Sequence, residues 1–93
     1  MSDFDVNRTP TLCAGYRLQW EPAQQAHVLF YPEGMVRLNN SAAAIANEID
    51  GRSNVASIIQ KVKILYPDAP PTLAEDVIKF LEAAHEKFWL QLT

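Results

Sequence analysis

The chain has 93 residues, 48% of them hydrophobic and 20% charged, which is enough for one small domain that hides roughly 60–65% of its unfolded surface and too little for a catalytic cleft between lobes. Eight Lys and Arg against eleven Asp and Glu leave a net charge of −3, whereas a phosphate backbone selects clustered positive charge, so no nucleic acid is expected as a partner. The single cysteine, Cys13, forms no internal disulfide and residues 1–10 contain no apolar run, so a reducing, cytoplasmic setting without membrane contact is expected.

Residues 1–15 mix polar side chains with Pro10 and Gly15 and show no period; they read as a flexible arm, leaving one domain over 16–93. Tyr16, Leu18 and Trp20 alternate with Arg17, Gln19 and Glu21, the period of two of a strand with one buried face. After a turn at Pro22 to Gln25, Ala26, Val28 and Phe30 alternate with His27, Leu29 and Tyr31, and Pro32-Glu33-Gly34 turns the chain again. Met35 to Leu38 complete a three-stranded antiparallel meander.

The rest reads as three helices. Ser41 is the expected N-cap of the first, with Ala42–Ala44, Ile45 and Ile49 inside it and Gly51 as its stop. Ser53 or Asn54 caps the second, whose Val55, Ile58, Ile59, Val62 and Leu65 form one stripe ended by Pro67. Thr72 and Glu75 have capping-box spacing and open a third helix of about 17 residues with Leu73, Val77, Phe80, Leu81, Ala84 and Phe88 as its core stripe. The sum is an α+β domain of the winged helix-turn-helix kind, a three-stranded antiparallel sheet plus three helices.

Little in the sequence carries chemistry. His27 and His85 stand apart with no metal-ligand spacing, and one Cys with two His falls short of a zinc site. Cys13 lies in the expected arm, away from any positioned base. No phosphate-cradling motif occurs among three glycines. No catalytic residue, metal or cofactor is therefore expected. A winged fold raises DNA binding as the alternative, but the second helix offers only Lys61 and Lys63.

The third helix is more telling. Beside its core stripe, Ala74, Ile78, His85, Trp89 and Leu92 widen the apolar arc to one side. That extra arc either buries against the sheet or the arm, or walls a groove beside the third strand, whose unpaired edge would accept an extended peptide.

Arg17-Leu18-Gln19-Trp20-Glu21, Val28-Leu29-Phe30-Tyr31-Pro32-Glu33-Gly34, Leu38-Asn39 with Ser41-Ala42, Asp50-Gly51, and Asp76-Val77 with Phe80-Leu81 together resemble the PqqD family over about residues 10 to 92. The resemblance implies a small non-catalytic protein of pyrroloquinoline quinone biosynthesis. Such a protein binds the ribosomal precursor peptide as a recognition element and presents it to a radical S-adenosylmethionine enzyme. Carried over by position, the peptide site comprises Met35, Val36, Arg37 and Leu38 on the strand and Ile78, Leu81, His85 and Trp89 on the helix, with Lys79 and Lys87 facing acidic peptide residues. Where many members have glycine before the last aromatic residue, this chain has Phe88. The unprotected strand edge also predicts a homodimer at high concentration.

Overall fold

The computed structural model describes residues 4–93. In chain order the elements are β1 (Pro10–Leu12), β2 (Arg17–Glu21), β3 (Ala26–Tyr31), β4 (Gly34–Leu38), α1 (Asn40–Ala46), α2 (Val55–Leu65), α3 (Leu73–Glu86) and β5 (Leu90–Leu92). β2, β3 and β4 form one antiparallel sheet in sequential order, so β4 is an edge, and β1 pairs with β5 in a separate two-stranded sheet. The α+β architecture of three helices with a three-stranded meander is the one the periodicities predict.

The register of the meander follows from its turns. Pro32 and Glu33 form a two-residue connection, so Tyr31 faces Gly34 and the pairs Phe30 with Met35, Leu29 with Val36, Val28 with Arg37 and His27 with Leu38 follow. Leu18, Val36 and Leu38 share the face that packs on Ala43 and Ala46 of α1. A second cluster joins Ile45 to Val55, Ile58, Ile59 and Val62 of α2, Val77, Leu81 and Ala84 of α3, and Leu90 of β5. Phe80 and Trp89 pack against both clusters and so tie the sheet to the helices.

Several ends differ from expectation for identifiable reasons. Asn39, not Ser41, caps α1: its backbone is extended and its Oδ1 accepts from the Ala42 amide at 2.8 Å. α1 ends at Ala46, where the Glu48 and Ile49 amides turn to the Ile45 and Ala46 carbonyls at 3.0 and 3.2 Å, the tighter i to i−3 pattern; beyond it Asp50 Oδ1 accepts from the Arg52 and Ser53 amides at 2.8 and 2.7 Å. Those two backbone bonds hold the Asp50 carboxyl down from 3.8 to about 2, with smaller help from the Ser53 hydroxyl and Lys61. Asn54 caps α2 through a 2.8 Å bond from the Ser57 amide. Thr72 makes no side-chain cap bond to α3; its hydroxyl lies 3.4 Å from Asp76 Oδ2 instead.

The C-terminus of α3 departs furthest. The helix has 14 residues and ends at Glu86. The Trp89 amide then donates to the Ala84 carbonyl at 2.9 Å and the Phe88 amide to the His85 carbonyl at 3.1 Å, a Schellman ending with Phe88 at φ +64°. Trp89 and Leu92 therefore belong to the chain after the helix and not to its flank.

The arm is the other revision. Residues 1–3 lie outside the described residues, but Pro10 is buried in β1, and Thr9 and Thr93 exchange backbone bonds of 3.1 and 3.0 Å. The carbonyls of Arg8 and Val6 accept from the Val55 and Ala56 amides at 3.0 and 2.9 Å, satisfying donors that the start of α2 leaves unpaired. Phe4 and Val6 pack on the helical cluster. Residues 4–12 are thus part of the domain, in place of the loose arm expected there.

Candidate functional site

Parity within the β3–β4 hairpin determines what β4 offers. A two-residue turn is closed by a hydrogen-bonded pair, and bonded and non-bonded pairs alternate from there. Tyr31 with Gly34, Leu29 with Val36 and His27 with Leu38 are therefore the bonded pairs. The backbone N–H and C=O groups of Met35 and Arg37 point the other way, along the free edge of the sheet. Two donors and two acceptors stand there in the spacing of a strand, ready for an added one.

Beside that edge lies a cleft of about 210 Å³ between β4, α1 and the C-terminal half of α3. Val36, Arg37, Leu38 and Asn39 line it from the strand side, and Ala42 from α1. From the other side come Phe80, Ala83, Ala84 and Lys87, spaced i, i+3, i+4 and i+7 as one helix face requires, followed by Trp89. The two alanines between Phe80 and Lys87 leave the space, because a longer side chain at either position would occupy it. Lys87 Nζ sits 4.9 Å from the centre of the Trp89 ring, which holds the ammonium at the rim. The lining holds no carboxylate, and Lys87 brings positive charge to its rim; Arg37, between Val36 and Leu38, contributes its backbone edge, since strand alternation turns its side chain to the other face of the sheet.

The sequence places only part of this. Val36, Arg37, Leu38 and Trp89 line the cleft, and Met35 is exposed on the same strand at 55% of its surface. The helix residues expected opposite them lie elsewhere. Leu81 is fully buried in the helical core. Ile78 packs against that core on the far side of the Val77–Leu81–Ala84 stripe, in a cluster that also takes in Phe4, Val6 and Leu92. Lys79 and His85 are exposed and outside the lining. The wide apolar arc of α3 is thus taken up by the core, and the cleft opens on the opposite flank. Phe80, Ala83 and Ala84 were legible only as core or helix formers, since nothing in their own spacing says that β4 stands off from them.

Among the described residues no three or more His, Cys, Asp or Glu side chains are grouped to hold a metal ion, and no helix is long and apolar enough to cross a membrane. On α2, Lys61 is engaged by Asp50 at 3.9 Å and by the Ser53 hydroxyl at 2.7 Å, while Ile64 and Leu65 are exposed at 77% and 57%. A helix with that surface lacks the cationic face a DNA-reading helix needs.

Residues 26–90 match the family model of coenzyme PQQ synthesis protein D, PqqD. Over 92 residues the chain is 47% identical to a PqqA binding protein of Stutzerimonas stutzeri and 48% identical to one of Azotobacter vinelandii, covering 99% of both partners in each case. The fold is similar to the solution structure of the PqqD truncation of Methylobacterium extorquens PqqCD, described as a functional, stand-alone recognition element for ribosomally synthesized and post-translationally modified peptides. The TM-score is 0.78 at 30% identity, covering 95% of this chain and 94% of the other. It is also similar to the crystal structure of PqqD from Xanthomonas campestris, with a TM-score of 0.56 at 31% identity and coverage of 95% and 98%.

Proposed function

The chain belongs to the PqqD family, and from that premise and the cleft beside β4 we propose that it is a non-catalytic peptide chaperone of pyrroloquinoline quinone biosynthesis. It binds the ribosomal precursor peptide and presents it to a radical S-adenosylmethionine enzyme. The observation that carries the reading is the free edge of β4 standing against the cleft of Phe80, Ala83 and Lys87. The peptide adds as a fourth strand, pairing with Met35 and Arg37, and alternate side chains turn into the cleft. Val36, Leu38 and Trp89 supply apolar contact there, and Lys87 at the rim favours an acidic residue.

Each backbone bond adds only about 0.5–1.5 kcal/mol net, so the edge alone gives weak binding and the cleft supplies the selection. An exposed ion pair to Lys87 adds about 0–1 kcal/mol and mainly orients the peptide. The same edge pairs with a second copy of the chain at high concentration, and peptide and second copy compete for it. Calorimetric titration with the precursor peptide tests the reading. Saturable binding at one site, weakened roughly tenfold when the cleft is filled at Ala83, is expected; absence of binding to the wild-type chain would overturn it.

A further inference from the structure

A second cavity, of about 540 Å³, lies between α1, the C-terminal end of α2 and the start of α3. Its walls are apolar, from Ala44, Ile45, Val62, Tyr66, Pro67 and Leu73. Its charged groups are Asp68 and Asp76, with no Lys, Arg or His in the lining. Neither carboxylate forms an ion pair among the described residues, and Asp76 meets the Thr72 hydroxyl at 3.4 Å. Tyr66 is half exposed, so its ring puts apolar surface at the mouth of the cavity at the end of α2. Exposed apolar surface rimmed by charge of one sign is the mark of a protein docking site.

We propose that this cavity docks a basic, amphipathic segment of the enzyme that modifies the peptide, an apolar side chain entering the cavity and a neighbouring Lys or Arg meeting Asp68 and Asp76. The inference rests on the reading of the chain as a peptide-presenting protein. Charge separates the two surfaces: the cleft beside β4 carries Lys87 at its rim and no carboxylate, whereas the charged groups of this cavity are both carboxylates. An acidic stretch of peptide and a basic stretch of enzyme therefore do not compete. The two surfaces are neighbours across α1, whose Ala42 lines the first while Asn40, Ser41 and Ala44 line the second, just past the end of β4. An enzyme seated here stands against the end of the strand that holds the peptide.

The test uses the full chain, the precursor peptide and the purified radical S-adenosylmethionine enzyme as probes. Tyr66→Lys and Asp68→Lys change exposed positions in the lining of the cavity. Each should weaken enzyme binding by about tenfold or more while changing peptide affinity by less than about twofold. Added salt should weaken enzyme binding by the wild-type chain more steeply than by Asp68→Lys. Unchanged enzyme affinity in both variants would overturn the inference. So would a loss of peptide affinity, which would make the cavity a peptide subsite, or a dimer-to-monomer shift in sedimentation, which would make it a self-contact. A wild-type chain that binds peptide but not enzyme would overturn the inference alone; one that binds no peptide would overturn the functional reading beneath it.

Discussion

The two flanks of α3 have similar apolar content and opposite fates. One, with Ile78 beside the buried stripe, is drawn into a core completed by Phe4, Val6 and Leu92. The other, with Phe80, Ala83 and Lys87, faces an edge strand across open space. The difference lies in what covers each flank, and the cover comes from residues remote in sequence. Helix amphipathicity therefore locates what is buried, while a binding surface is located by what the rest of the chain fails to cover.

The largest expected effect breaks the closed flank. Leu81→Ala removes a fully buried side chain and should cost about 2–5 kcal/mol in chemical denaturation, while the protein that remains folded keeps its affinity for peptide. A loss of affinity without a loss of stability would place Leu81 in the cleft after all. Ala83→Leu sharpens the open flank. The position is exposed, so stability should hold, whereas filling the cleft should weaken the precursor peptide by about 1.4 kcal/mol, roughly tenfold, in calorimetric titration.

A smaller effect concerns the stop between the two flanks. Phe88 is 78% exposed and held at φ +64°, where a side chain is disfavoured and glycine is not. Phe88→Gly should raise stability by about 1 kcal/mol in thermal or urea unfolding; a decrease would mean that the ring makes contacts that outweigh the backbone cost. The smallest effect is acid dependence. Asp50 is held at about 2 by the Ser53 and Arg52 amides, so its protonation is harder in the folded chain than in the unfolded one. Its contribution is complete above the ordinary carboxylate value of 3.8 and is lost as pH falls towards about 2. Unfolding followed between pH 5 and pH 2 should show this loss in the wild-type chain and not in Asp50→Asn.

Much of this was legible beforehand, and the parts that were not share a cause. The alternation in 16–38, the Pro32–Gly34 turn and the Asn54 to Pro67 limits of α2 are local patterns, and local rules read them. β1 has three residues, too short for a period, and the arm's carbonyls bond to the start of α2 without any side-chain signature. The end of α3 hides behind Phe88, since a left-handed stop is ordinarily announced by glycine. On the strand side, register parity follows from the turn length, so Met35 and Arg37 could be singled out once the hairpin was known. On the helix side, Ala83 reads as a good helix former and nothing more.

The central claim is that the peptide joins the sheet at β4, and amide hydrogen exchange with and without the precursor peptide tests it most directly. The Met35 and Arg37 amides, which face the free edge, should gain protection on binding, while those of Val36 and Leu38, already paired with β3, should change little. Unchanged exchange at Met35 and Arg37 with the peptide at saturation, together with new protection around Ile78 and His85, would contradict the account and return the site to the flank of α3 now assigned to the core.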